Sequence, residues 1–197
     1  MAFKQTWWDI NLPTRMEEFK SWIGTSDEPS KIYLRKYIKE LQYKSVIDLG
    51  CGTATEYEAY LKDIPDIKYL GIDSSEVLFK SNKKRGVPML LASAEETTLK
   101  DNYTDCVFSR HVLEHQPDFK NILTEMIRIA SKEAIHVFFI PPSDKKTHIG
   151  YDEKENLYHN RYNEAEIDKF LIDQPKVIAV GWEILPTKEV ALHIKLD

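Results

Sequence analysis

The chain has 197 residues, 42% hydrophobic and 30% charged, with 27 Lys and Arg against 32 Asp and Glu for a formal charge of −5. That length suits one domain with a substantial core, and the acidic balance gives no general attraction for phosphate backbones or anionic membranes. Two cysteines make no disulfide framework; Cys51 and Cys106 read as small packing residues of a cytoplasmic protein.

Met1–Trp8 lacks the apolar core of a secretory leader, and no run approaches membrane-spanning length. Two helices are predicted first. One runs near Thr14–Ile23, between Pro13 and Gly24; the other runs near Pro29–Leu41, with Ile32, Tyr33, Tyr37, Ile38 and Leu41 on one face.

Short apolar runs then alternate with helical patterns. Strand Ser45–Leu49 precedes helix Thr55–Asp63, strand Lys68–Ile72 precedes helix Ser75–Asn82, and strands Val87–Leu91 and Thr104–Ser109 follow. Lys80, Lys83, Lys84 and Arg85 read as a solvated helix end. Helix Asp118–Ala130 repeats apolar residues at helical spacing (Phe119, Ile122, Leu123, Met126, Ile127) and leads into strand Ala134–Ile140. Pro141-Pro142 reads as a strand terminator.

Beyond the prolines a polar, Tyr- and His-rich loop runs to Tyr162, followed by a helix near Glu164–Ile172. Strands near Val177–Trp182 and Glu189–Leu196 are separated only by a turn at Leu185-Pro186-Thr187, so they should pair antiparallel. The expected fold is α/β: a mostly parallel sheet with helices on both faces, an antiparallel C-terminal hairpin and an N-terminal helical cap. A single domain over 1–197 is expected, with a cap at 1–43, a core at 44–140 and a loop and hairpin at 141–197.

The densest signal is Val46-Ile47-Asp48-Leu49-Gly50-Cys51-Gly52. A strand feeding a glycine turn lets a nucleotide-like ligand touch backbone. Asp48 would repel a pyrophosphate there and welcome an ammonium or sulfonium, which favours S-adenosylmethionine over NAD. Asp73 follows about twenty residues later at the end of the next strand, where a carboxylate accepts from both ribose hydroxyls.

With these motifs the chain resembles the Rossmann-like, S-adenosylmethionine-dependent methyltransferases of the type 11 kind. Val46–Gly52 is similar to the family's first motif, Gly71-Ile72-Asp73-Ser74 to its second, Leu91-Ala92-Ser93-Ala94-Glu95 to its third, and Asp105–His115 to the fourth-strand segment. The resemblance implies a seven-stranded sheet and a cofactor set of Asp48, Gly50, Cys51, Gly52, Asp73, Ser74, Ser93, Ala94, Glu95 and Ser109. Of these, Ser74 is expected to cap the helix after it rather than to contact the ligand. Ala54 stands where relatives often have Gly. Ser93 replaces an Asp that accepts from the adenine amino group, so adenine should lean on the backbone at Ala94.

The fourth-strand exit is where acceptor and methyl group should meet, so His111 is the candidate catalytic base. Arg110 is the candidate clamp for a phosphate or carboxylate, and Tyr158, His159, Asn160, Arg161 and Tyr162 are candidate acceptor contacts. His111-Val112-Leu113-Glu114-His115 also spells a zinc-protease pattern. That chemistry needs a continuous helix, which Pro117 opposes, so no metal is expected.

The expected function is methyl transfer to oxygen or nitrogen of a small polar acceptor, such as a sugar or nucleotide-sugar. The alternatives are a cofactor-binding partner subunit without activity, and a methyltransferase for protein or nucleic acid. An NAD-dependent oxidoreductase would want a Gly near Thr55, which this chain lacks. The sequence leaves oligomeric state open.

Overall fold

The computed structural model describes residues 7–153 and 157–197. The helices are α1 (Trp7–Ile23), α2 (Pro29–Glu40), α3 (Glu56–Asp63), α4 (Glu76–Lys84), α5 (Lys120–Ile129) and α6 (Glu164–Ile172). The strands are β1 (Ser45–Leu49), β2 (Lys68–Asp73), β3 (Met89–Leu91), β4 (Thr104–Arg110), β5 (Ala130–Phe138), β6 (Tyr151–Asp152), β7 (Leu157–Tyr158), β8 (Val177–Ile184) and β9 (Val190–Leu196). Seven strands form one sheet in the order β3-β2-β1-β4-β5-β9-β8, and β6 pairs with β7. The sheet is mostly parallel and ends in the expected antiparallel hairpin, β8–β9. Contacts divide the chain into two compact units, Met1–Thr98 and Leu99–Asp197.

In the first unit β2 lies between β1 and β3, parallel to both. β3 is shorter than its apolar run because Val87 gives its N–H to Asn82 and Pro88 has none to give; the Pro88 carbonyl still accepts Gly71 N–H. α1 begins a turn and a half ahead of Pro13, and its non-helical residue is Arg15 (φ −121°). Its Leu12 and Phe19 pack on Leu78 of α4.

α2 buries a different face from the one its apolar residues suggest. Lys31, Leu34, Arg35 and Ile38 are buried, whereas Leu41 is exposed. Arg35 bonds Glu56 at 2.8 Å and Asp63 at 3.0 Å, the two ends of α3, and Lys31 bonds Thr55 at 3.0 Å. Buried cations that clamp a neighbouring helix leave no apolar trace in a sequence.

In the second unit α5 passes into β5 without a loop, since the last helical residue is Ile129 and the first strand residue Ala130. The polar stretch Ser131-Lys132-Glu133 hid this early start. Glu133 is buried opposite β9, where His193 and Lys195 bond its carboxylate at 2.9 and 2.8 Å. β5 also ends two residues early, because the Glu114 carboxylate takes the N–H groups of Phe139 (2.6 Å) and Ile140 (3.3 Å) that a strand ladder would use. α6 packs through Ile167 and Leu171, and its Asp168 accepts from Trp182 Nε1 of β8 at 2.9 Å.

Candidate active site

The glycine turn of the first unit opens where β1 ends. Gly50 (φ 77°) and Gly52 (φ 55°) take the left-handed conformation that glycine adopts freely. Gly50 and Cys51 give their N–H groups to the Ile72 carbonyl at 2.8 and 3.1 Å, which ties the turn to β2. The Cys51 thiol lies 3.8 Å from Met89 Sδ, in space kept open by Gly71, whose added Cβ would come within 2.9 Å of the Cys51 sulfur. Ala54 also takes a left-handed φ, 47°. For a residue with a Cβ that costs roughly 1–2 kcal/mol.

Two buried aspartates flank this turn. Asp48 accepts from Tyr69 OH at 2.7 Å, and Asp73 accepts the N–H groups of Gly52 and Ser75, each at 2.9 Å. A carboxylate offers about four lone-pair positions, so two backbone bonds to Asp73 leave capacity for a diol. Burial pushes the Asp48 carboxyl up to about 7 and that of Asp73 to about 6. The Tyr69 bond opposes the rise at Asp48 while Glu56 adds to it; the Ser75 and Gly52 bonds oppose it at Asp73 while Asp9 adds to it. Asp9 reaches in from α1 to accept from Ser75 Oγ at 2.6 Å. A cation brought beside desolvated carboxylates of this kind would favour their ionised forms.

Ser75, not Ser74, caps α4, accepting Leu78 N–H at 3.3 Å. Ser74 is half-buried beside Asp73. Ser93 Oγ accepts the Glu95 N–H at 3.2 Å, which shapes the turn after β3; Ala94 is half-buried and Glu95 exposed.

In the second unit Ser109 is fully buried, its Oγ 2.5 Å from His136 Nδ1. His136 Nε2 lies 3.3 Å from Glu114. This Ser-His-Glu chain is closed off from solvent and braces the ends of β4 and β5. The Ser109 side chain is thereby committed to the protein.

His111 has a left-handed φ of 58°, gives its N–H to Val137 at 2.9 Å and places Nε2 2.6 Å from Glu189 Oε1. Such a backbone costs on the order of 1–3 kcal/mol and persists only where its surroundings hold it. Burial lowers the His111 pKa, the Glu189 bond opposes this and Arg110 adds to it, which favours the neutral ring. Arg110 Nε is 3.7 Å from the same Glu189 oxygen. In the sequence Glu189 is marked only as an acidic residue at a strand start, just past a hairpin turn.

His115 sits on a three-residue 3-10 turn (Leu113–His115) and donates from Nδ1 to the Tyr158 carbonyl at 2.7 Å. The two histidines of the zinc-protease pattern are thus split between the end of β4 and that turn, with no helix to present them together. Among the described residues no group of three or more His, Cys, Asp or Glu is placed to hold a metal.

The acceptor loop divides in two. Asn160 and Tyr162 are buried and face inward: the backbone carbonyls of Leu113 and Gln116, each 2.9 Å from Tyr162 OH, share its one hydrogen, and Asn160 Nδ2 donates to Gln116 O and Tyr162 OH. His159 and Arg161 are exposed and Tyr158 half-buried. Imidazole and phenyl rings gather beside His111, with Phe139 5.0 Å from it, and His115 5.3 Å from both Phe139 and His159.

A model of the methyltransferase domain matches residues 47–138. That stretch is just under half of the chain, and over it the chain is similar to methyltransferase domains. It is 27% identical over 93 residues to trans-aconitate 2-methyltransferase of Deinococcus radiodurans, a stretch covering 47% of this chain and 36% of that enzyme. The chain therefore aligns with well under two thirds of this curated relative.

Among solved methyltransferases, the fold is similar to 1,6-didemethyltoxoflavin-N1-methyltransferase of Burkholderia thailandensis, crystallised with S-adenosylhomocysteine. The TM-score is 0.69 at 14% identity, covering 94% of this chain and 84% of that one. It is also similar to an S-adenosylmethionine-dependent methyltransferase of Aquifex aeolicus, with a TM-score of 0.63 at 21% identity over 94% and 98% of the two chains. No helix among the described residues is long and apolar enough to cross a membrane.

Proposed function

We propose that this methyltransferase moves the methyl group of S-adenosylmethionine to an oxygen of a small polar acceptor of the sugar or nucleotide-sugar class, in the cytoplasm. The observation that carries the cofactor half is the pair of buried, desolvated carboxylates Asp48 and Asp73 on either side of the glycine turn. Asp48 serves the methionyl ammonium. Asp73 accepts from the ribose hydroxyls, Gly50, Cys51, Gly52 and Ser74 offer backbone, and Ser93, Ala94 and Glu95 border the adenine.

On the acceptor side, His111 removes the hydroxyl proton and Arg110 clamps an anionic group. Tyr158, His159 and Arg161 contribute the outer contacts, while Asn160 and Tyr162 hold their loop in shape. Methyl transfer from a sulfonium needs little beyond alignment, dryness and proton removal, and a neutral, half-buried imidazole suits the last.

A carboxylate acceptor is the second reading. It draws on Arg110 and on the similarity to an enzyme named for trans-aconitate. An ionised carboxylate has no proton to lose, so His111→Gln would leave its methylation rate unchanged. The test is release of S-adenosylhomocysteine with panels of sugars, nucleotide-sugars and dicarboxylates. Turnover of a hydroxyl acceptor that falls about 100-fold or more in His111→Gln supports the first reading. Turnover confined to carboxylates supports the second, and cofactor binding without turnover of any acceptor would mark a binding subunit and overturn both.

A further inference from the structure

The β8–β9 hairpin turn contributes a residue outside the stretch 47–138 that matches the methyltransferase domain. Glu189, just ahead of β9, is largely buried, and each of its two oxygens has a close partner. Thr187 Oγ1 donates to Oε2 at 2.6 Å, and His111 Nε2 lies 2.6 Å from Oε1. A carboxylate only accepts, so the ring nitrogen facing it carries the hydrogen. Neutral His111 is then the Nε2–H tautomer, with its lone pair on Nδ1.

We propose that Glu189 is the positioning residue of the acceptor site: it fixes the tautomer and ring direction of His111, so that Nδ1 takes the acceptor's proton. This rests on the function proposed above. In the step, the acceptor oxygen forms the new C–O bond as the S–CH3 bond breaks. The S–C electron pair stays on sulfur as the thioether of S-adenosylhomocysteine, and the acceptor proton moves to Nδ1. The imidazolium formed is stabilised by Glu189 through the short Nε2–H bond.

The charged surroundings of His111 set the direction of its titration. Glu189 from the hairpin and Glu114 from the 3-10 turn favour the protonated ring; Arg110 from β4 and His115 from the same turn oppose it, and burial opposes it most. The β5 side offers the Val137 carbonyl and the Phe139 ring, neither of which titrates. Loss of the Glu189 charge therefore lowers the His111 pKa further.

The test needs no acceptor. Protein labelled with 15N-histidine is followed by long-range 1H–15N correlation between pH 5 and 8.5, with the His111 signals assigned by their loss in His111→Gln. The Nε2–H pattern is expected, with titration below the ordinary histidine value. In Glu189→Gln the pKa should fall by about one further unit, and Glu189→Asp, which keeps the charge, should restore most of it. An Nδ1–H pattern in the unsubstituted protein, or a His111 titration indifferent to Glu189→Gln, would overturn the proposal. If the tautomer and titration behave as expected while S-adenosylmethionine fails to bind in calorimetry, the functional reading falls and takes the base role with it. On a hydroxyl acceptor, the acidic limb of the kcat profile should move down in pH in Glu189→Gln, an effect that a merely structural contact would not produce.

Discussion

Asp73 accepts the backbone N–H of Gly52 at 2.9 Å, joining the end of the second strand to the glycine turn that follows the first. The residue expected to grip the ribose is thus also the one that shapes the turn. The two roles separate on substitution. Asp73→Ala should lower S-adenosylmethionine affinity about 10- to 100-fold, the loss of two charge-assisted hydrogen bonds. It should cost roughly 1–3 kcal/mol of stability through Gly52 and Ser75 while the fold is kept. Calorimetry and urea denaturation read these separately, and unchanged affinity would refute the ribose role.

The two buried aspartates predict opposite pH responses with and without cofactor. Their folded pKa values, about 7 for Asp48 and about 6 for Asp73, lie above the ordinary 3.8. The folded protein therefore binds protons more tightly than the unfolded chain. The stability this contributes is complete below pH 3.8 and is lost as pH rises through 6 and 7. From pH 8 down to 5, this pair should raise the melting temperature of the ligand-free protein, and Asp48→Asn should weaken that trend. The cation needs the ionised forms, so S-adenosylmethionine affinity should fall over the same range. Affinity independent of pH between 5 and 8 would contradict the assignment.

Ala54 is strained at φ 47°. Ala54→Gly should stabilise the protein by about 1 kcal/mol, offset in part by the freer unfolded chain. The denaturation midpoint measures this; a destabilised variant would show that the Ala54 methyl packs better than its backbone strain suggests.

Glu114 supports three groups at once: His136 and the N–H groups of Phe139 and Ile140. Burial works against its charge, but His136 and the surrounding bonds bring its pKa below the ordinary value. Its contribution is therefore present above about pH 4.5 and lost as pH falls through the lowered value. Glu114→Ala should cost roughly 3–5 kcal/mol at pH 7, because buried donors lose their acceptor. A loss under 1 kcal/mol in urea denaturation would mean that the region relaxes around the gap.

The order of strands and helices was legible because apolar runs and glycine turns report directly on burial and backbone direction. The first, second and third motifs were legible for the same reason. Element edges were not, where side chains replaced backbone partners: Glu114 ends β5 early, and the Glu133–His193–Lys195 group hides its start inside a polar run. The α2 face was misread because Lys31 and Arg35 are buried as ion-pair partners. Asn160 and Tyr162 looked like acceptor contacts by type, yet their bonds to Gln116 and Leu113 could be known only from the fold. Glu189, 78 residues from His111, left no local pattern.

On the function proposed above, the turn between β1 and α3, with Asp48 and Asp73, holds S-adenosylmethionine. Titration calorimetry of the unsubstituted protein at pH 8 tests it most directly, with S-adenosylmethionine and NAD as parallel ligands and Asp48→Asn as the comparison. Saturable binding of S-adenosylmethionine, weakened about tenfold or more in Asp48→Asn and absent for NAD, is the predicted result. Binding of NAD without S-adenosylmethionine would contradict it.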